Sequence, residues 1–270
     1  MSKNTDAKKS IGIFDSGIGG LTVANAINNV LPNEHLIYFG DTAHLPYGDK
    51  SADAIRFYAL KISKFLLQQN CKMIVIACNS ASSAAYNTLI DFFEGKSLFV
   101  NVVDPLVSAV VDKGYSNIGV IATKATIRSN VYRNKIKDQL QKTTITSLAT
   151  PLLAPMIEEG FHNGELSHAI INSYLGTSEF NNIEALLLAC THYPLIKNDI
   201  SKYFNHKIDI LDSTNVVADA IKKALKKENL LSDERLKPNQ YFVSDYTISF
   251  EDTAKTFYGS NISLEVVNIW

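Results

Sequence analysis

Two thiols stand in near-matching frames. Val75-Ile76-Ala77-Cys78-Asn79-Ser80 and Leu187-Leu188-Ala189-Cys190-Thr191-His192 each run from a buried-strand pattern into small polar residues. Each thiol therefore falls where a strand ends and a loop begins, which is where open α/β sheets bind ligands. One such thiol is a candidate nucleophile. Two, each on its own strand, suggest a paired device with one thiol on each face of a substrate. The unperturbed thiol pKa, about 8.5, lets each group serve as acid or base near neutral pH.

The surrounding residues add to this. His192, two positions beyond Cys190, can take the thiol's proton or return it. Pro194 suits the first turn of a following helix, which leaves Thr191 and His192 in the loop. After Cys78, a helix start would aim free N–H groups at the thiol or at a bound anion and favour thiolate. The plainer alternative there is a buried inert Cys with Asn79 or Ser80 as N-cap. Asp15-Ser16-Gly17-Ile18-Gly19-Gly20 follows a strand and precedes a helix, so its backbone can approach an anion as small as a carboxylate. Asp15 is then a proton acceptor or an ammonium partner, or simply caps the helix. Pro46-Tyr47-Gly48 reads as a turn presenting Tyr47 and backbone N–H groups, or as a plain surface turn. Glu158, beside Glu159, reads as a solvated helix end or as a carboxylate that orients His192.

Several other chemistries fail on spacing. The third glycine of a dinucleotide fingerprint would fall on Thr22, and no Gly-Lys-Ser/Thr follows for a P-loop. Cys71 and Cys78 give neither C-x-x-C nor H-x-x-x-H spacing to complete a metal site with Cys190 and His192. A single-nucleophile, papain-like reading leaves the second matched Cys unexplained. Cys71 has no polar company and reads as packing. Three cysteines in 270 residues make a poor disulfide framework, so free thiols in a reducing cytoplasm are expected. A net charge of −1 gives no footprint for nucleic acid or anionic membrane. The apolar runs are too short to span a bilayer, and Met1 to Ser10 reads as a frayed polar tail without a signal peptide's apolar core.

Strand-like and helical patterns alternate along the whole chain. Ile11–Asp15, Leu36–Gly40, Met73–Cys78, Leu98–Val103, Ile118–Ala122, Ala185–Cys190 and Ile208–Leu211 are short and apolar. Leu21–Leu31, Ala52–Gln68, Ser80–Phe93, Arg128–Leu140 and Val216–Lys227 are helical in period. Nearly all-apolar strands between helices predict parallel sheets covered on both faces. The Cys frames lie about 110 positions apart, the length of a small domain. Ile11-Gly12-Ile13-Phe14-Asp15-Ser16 and Ile118-Gly119-Val120-Ile121-Ala122-Thr123 form a second matched pair, each ending in a hydroxyl. The reading is an α/β chain of two similar Rossmann-like lobes, mainly parallel, giving strand ends to one cleft. The first lobe is 11–104 plus 213–270, the tail (Gln240–Ser244, Leu264–Val267) returning to complete it, and the second is 105–212.

Phe14 through Gly20, Pro46-Tyr47-Gly48, Ala77-Cys78-Asn79 and Cys190-Thr191-His192-Tyr193-Pro194, in this order, resemble the glutamate racemase family. The resemblance runs from about Ile11 to the tail. It implies interconversion of L- and D-glutamate without a cofactor, a product that supplies peptidoglycan synthesis, and a bacterial cytoplasmic homodimer. It implies Cys78 and Cys190 as the catalytic thiols, assisted by Asp15 and His192, with Glu158 linked to that His. Asp15, Ser16, Tyr47, Gly48, Asn79, Thr191 and His192 match the substrate contacts. Pro46, Ser80 and Thr123, at the same strand ends and turns, are taken with them. Ser80 stands where the family usually has Thr, and Ala189 where Gly is common. Aspartate racemase shares the two-thiol logic, and a non-catalytic amino-acid-binding protein shares the two-lobed cleft, although a binder needs neither thiol.

Overall fold

The computed structural model describes residues 6–162 and 164–270. All sheet pairings among them are parallel and fall in two sheets. The first has order β10-β9-β2-β1-β3-β4 and the second β6-β5-β7-β8. The first is built from β1 (Ile11–Asp15), β2 (Leu36–Gly40), β3 (Met73–Ile76), β4 (Leu98–Asn101), β9 (Gln240–Val243) and β10 (Glu265–Val266). The second comprises β5 (Asn117–Ala122), β6 (Thr144–Ala149), β7 (Ala185–Ala189) and β8 (Asp209–Asp212).

The matched sequence frames occupy matched places. In each sheet the Ile-Gly strand, β1 or β5, lies between a neighbour and the strand that leads into a cysteine, β3 or β7. Period-two alternation sends neighbouring side chains to opposite faces. Ile11 and Ile13 join one core with Met73 and Val75, while Phe14 joins another with Ile74 and Ile76. The first core is covered by α1 (Leu21–Val30), α10 (Ser213–Lys227) and α11 (Ile248–Tyr258). The second is covered by α2 (Ala52–Gln68) and α3 (Asn79–Phe92). Around the second sheet lie α4 (Val103–Lys113), α5 (Lys124–Ser129) and α6 (Val131–Gln139), then α7 (Leu153–Glu158), α8 (Glu165–Leu175) and α9 (Lys197–Tyr203). One apolar cluster runs from Ile11 and Leu21 through Val217 and Ile221 to Leu188 and Ile196, so the two lobes share a continuous core.

Three expectations change, and one strand was not foreseen. The helical stretch Arg128–Leu140 is two helices, α5 and α6, because Asn130 turns left-handed at φ 55° between them. The strand expected over Leu98–Val103 stops at Asn101, whose Oδ1 accepts from the backbone N–H groups of Val103 and Asp104 and starts α4. Strand β6 went unforeseen because Thr144 and Thr146 on one face and Ser147 on the other break up the apolar run of a strand at the sheet edge. The expected frayed tail lies partly outside the described residues, at 1–5. Its later part is tied down: Ala7 and Ser10 are buried, and Ser10 Oγ lies 2.7 Å from His35 Nδ1. Nearby, the buried Lys72 ammonium sits 2.6 Å from Glu34 and also donates to the carbonyls of Ala7 and Leu230.

Candidate active site

The C-terminal ends of β1, β3, β5 and β7 carry Asp15, Cys78, Thr123 and Cys190 towards one shared cleft. That cleft is shut. Cys78 is 5% and Cys190 6% exposed, and contacts cross from lobe to lobe around them. Thr22 Oγ1 donates to the Thr191 carbonyl at 3.0 Å, and Ser80 Oγ meets Thr123 Oγ1 at 2.8 Å. The Tyr132 hydroxyl, on α6, donates to Asn79 Oδ1 at 2.6 Å. Gly19 is pressed so close to the second lobe that a Cβ there would lie 2.4 Å from His192 Cε1.

Cys78 is itself the N-cap of α3, a role that the plainer alternative gave to Asn79 or Ser80. Its Sγ accepts from Ala81 N–H at 3.4 Å and lies 3.6 Å from Ser16 Oγ. Those donors favour thiolate, as the sequence suggested, but they are outweighed. Burial, with the Asp15 charge adding to it, pushes the Cys78 thiol up to about 12, so it rests protonated. Asp15 is fully buried. Its Oδ2 accepts from Gly17 and Gly20 N–H at 3.3 and 3.0 Å, and its Oδ1 has no partner among the described residues. Burial raises the Asp15 carboxyl, opposed by His192 and by those backbone donors.

On the other side, Cys190 Sγ lies 3.7 Å from His192 Nδ1, and Glu158 Oε1 lies 2.6 Å from His192 Nε2. A carboxylate only accepts, so Nε2 carries a proton. Burial opposes charge on this imidazole, yet hydrogen bonds to Cys190 and Glu158 overcome it and hold His192 up to about 10. Glu158 ends α7, its side chain is 38% exposed, and its carboxylate contacts the His192 ring at the same time. The ring of Phe257, from α11, meets the His192 ring edge-on at 4.9 Å.

Pro46 is exposed, and the Tyr47 hydroxyl turns inward to donate to Asp41 Oδ2 at 2.6 Å. Gly48, not the Tyr47 hydroxyl, comes up against the other lobe, where its missing Cβ would lie 2.9 Å from Thr123 Cβ. Sequence reasoning missed Tyr132, Phe257 and Gly19's role as a spacer. The first two sit in ordinary amphipathic helices, and only the fold brings them to the cleft. Cys71 is buried with a thiol raised by burial to about 12, as its packing role implied. Among the described residues, no group of three or more His, Cys, Asp or Glu could hold a metal ion, and no helix is long and apolar enough to cross a membrane.

Two buried thiols facing a shared cleft, each with its own polar partner, suit proton transfer at a carbon centre. Residues 11–221 match the family described as Asp/Glu/Hydantoin racemase. The chain belongs to that family. It is 36% identical over 264 residues to the glutamate racemase of Syntrophus aciditrophicus, covering 97% of each chain. Among solved structures, glutamate racemase from Francisella tularensis in complex with D-glutamate superposes with a TM-score of 0.92 at 35% identity, over 97% of this chain and 98% of that one. The aspartate racemase of Picrophilus torridus shares the racemase fold more loosely, with a TM-score of 0.58 at 22% identity over 82% of this chain and 98% of that one.

Proposed function

We propose that this racemase interconverts L- and D-glutamate without a cofactor, by proton transfer between Cα and two thiols. The carrying observation is the chemical asymmetry of the two buried sulfurs: Cys190 beside a charged His192, Cys78 held as thiol near Asp15. Starting from L-glutamate needs a thiolate on Cys190 and a thiol on Cys78. Cys190 as thiolate, its charge balanced by the His192 imidazolium, takes the Cα proton. Cys78 gives its own proton to the opposite face. The products are D-glutamate, a protonated Cys190 and a Cys78 thiolate, and the reverse direction runs the same steps backwards.

A Cα–H is too weak an acid for a thiolate alone, so the growing enolate charge on the α-carboxylate needs fixed donors. The supporting groups are Asn79 Nδ2, which has no partner among the described residues, the first N–H groups of α3, and the hydroxyls of Ser16, Ser80, Thr123 and Thr191. Asp15 Oδ1, buried and without a partner among the described residues, suits the substrate ammonium on the Cys78 side. The backbone of Tyr47 and Gly48 and the shut lobes exclude water. We take residues 11–104 with 213–270 as one lobe and 105–212 as the other. A cytoplasmic homodimer feeding peptidoglycan synthesis is the setting that the family implies.

The test is to incubate L-glutamate and L-aspartate separately in D₂O and to follow Cα deuterium and optical rotation. Exchange and loss of rotation with glutamate is the expected result, with the loss of rotation abolished in Cys78→Ala and in Cys190→Ala. Exchange with aspartate alone would move the substrate to the shorter acid, and exchange with neither would end the enzymatic reading.

A further inference from the structure

Asn79 offers an amide to the cleft, and something must decide which end of it faces the substrate. The oxygen and nitrogen of an amide are alike in shape and opposite in hydrogen-bonding sense. Oδ1 accepts from the Tyr132 hydroxyl at 2.6 Å, while Nδ2 is buried with no partner among the described residues. Tyr132 is 3% exposed, and its hydroxyl makes no other hydrogen bond to the described residues. Were the amide flipped, Nδ2 could donate to the phenol oxygen, but the phenolic proton would then be buried without an acceptor. A buried donor left unmet is the costly case, so that one proton decides the flip. Burial, with the charges of Asp104 and Cys190, raises the Tyr132 phenol, so the proton stays in place.

We propose that Tyr132 is a positioning residue, which locks the Asn79 amide so that Nδ2 points at the substrate's α-carboxylate. This rests on the two-thiol reading above and adds a residue to it. Tyr132 and Asn79 belong to opposite lobes, so the oriented donor exists only when the lobes meet. Closing the cleft both excludes water and turns an ambiguous amide into a committed one.

Tyr132→Phe keeps the ring and its packing and removes only the O–H. Wild-type activity with glutamate is measured first, and its absence would count against the functional reading and not against Tyr132. In the active enzyme, Tyr132→Phe should lower kcat/KM about tenfold, the worth of one buried hydrogen bond. Most of that loss should appear in kcat, with the pH profile unmoved. Added to Asn79→Ala, it should cost nothing further, because its effect passes through the amide. The same fractional loss in both backgrounds, or wild-type kcat/KM in Tyr132→Phe alone, would overturn the proposal. In substrate-free protein, the side-chain amide NMR pair of Asn79, identified by its disappearance in Asn79→Ala, should shift on Tyr132→Phe. An unmoved pair would overturn the proposal whatever the activity.

Discussion

The loop between β1 and α1 offers a paired experiment on one short stretch of chain. Gly19 and Gly17 both have ordinary negative or extended φ, so neither is required by backbone conformation. They differ in what lies beside them. A Cβ at Gly17 would meet only Leu45 Cδ2, at 3.6 Å, which is normal contact. A Cβ at Gly19 would fall 2.4 Å from His192 Cε1, 2.5 Å from Nδ1 and 2.6 Å from Thr191 Oγ1. Carbon atoms rest at about 3.5 Å or more, so roughly 1 Å must be found. His192 is held behind by Glu158 and Phe257, so the relief comes from displacing the imidazole from Cys190 or parting the lobes. A misplacement of about 1 Å in a catalytic arrangement costs about 100-fold in rate. Gly19→Ala should therefore lose about two orders of magnitude in kcat, and Gly17→Ala less than a factor of about three. Circular dichroism follows racemisation continuously, and thermal melts confirm that both variants fold. Near wild-type kcat in Gly19→Ala, or an equal loss in both variants, would refute the spacing argument.

Glu158→Gln removes the carboxylate 2.6 Å from His192 and should lower the imidazolium's titration from about 10, as read by NMR of the ring carbon. The folded pKa lies above the unfolded value of about 6.5, so the proton-linked stability is full below that pH and is lost as pH rises towards 10. The onset is set by the unfolded value, so Glu158→Gln should leave it in place but make that alkaline loss smaller and complete at a lower pH in pH-dependent melts, and a loss that still runs on to about pH 10 would contradict the assignment. His192→Asn should lower kcat from L-glutamate by about 100-fold or more, and further than kcat from D-glutamate, while kcat/KM falls equally in both directions because the isomers have equal energy. Equal kcat losses would detach His192 from Cys190. Glu34→Ala strands the buried Lys72 ammonium and should cost about 3–5 kcal/mol in urea unfolding, with kcat per folded molecule unchanged. A loss under about 1 kcal/mol would show the pair to be dispensable.

The sequence was legible where a physical constraint is local. Strands β1, β3 and β7 are buried on both faces, so their apolar runs and their polar ends could be read directly. The thiols, the glycine loop and His192 lie within a few residues of those ends, which made the core of the site visible. Strand β6 escaped because its alternation is half polar, and the break at Asn130 because one left-handed residue leaves the helical period almost intact. The resting protonation of Cys78 was open for a different reason: the helix start is written in the sequence, whereas the burial that outweighs its donors exists only in the fold. Tyr132 and Phe257 were out of reach on the same ground, since each acts across a distance that only the fold closes.

Both sulfurs sit behind shut lobes, at 5% and 6% exposure. On the assignment proposed above, this gives the enzyme a memory. A molecule that has just made D-glutamate holds its protons the wrong way round to do so again, yet is primed to run backwards. Before repeating a forward turnover it must trade protons with water, and water reaches the sulfurs only when the lobes part. Opening is then more than release of product: it erases the record of the last event. When substrate is plentiful, the catalyst's own return to its starting state, with no substrate aboard, sets the pace.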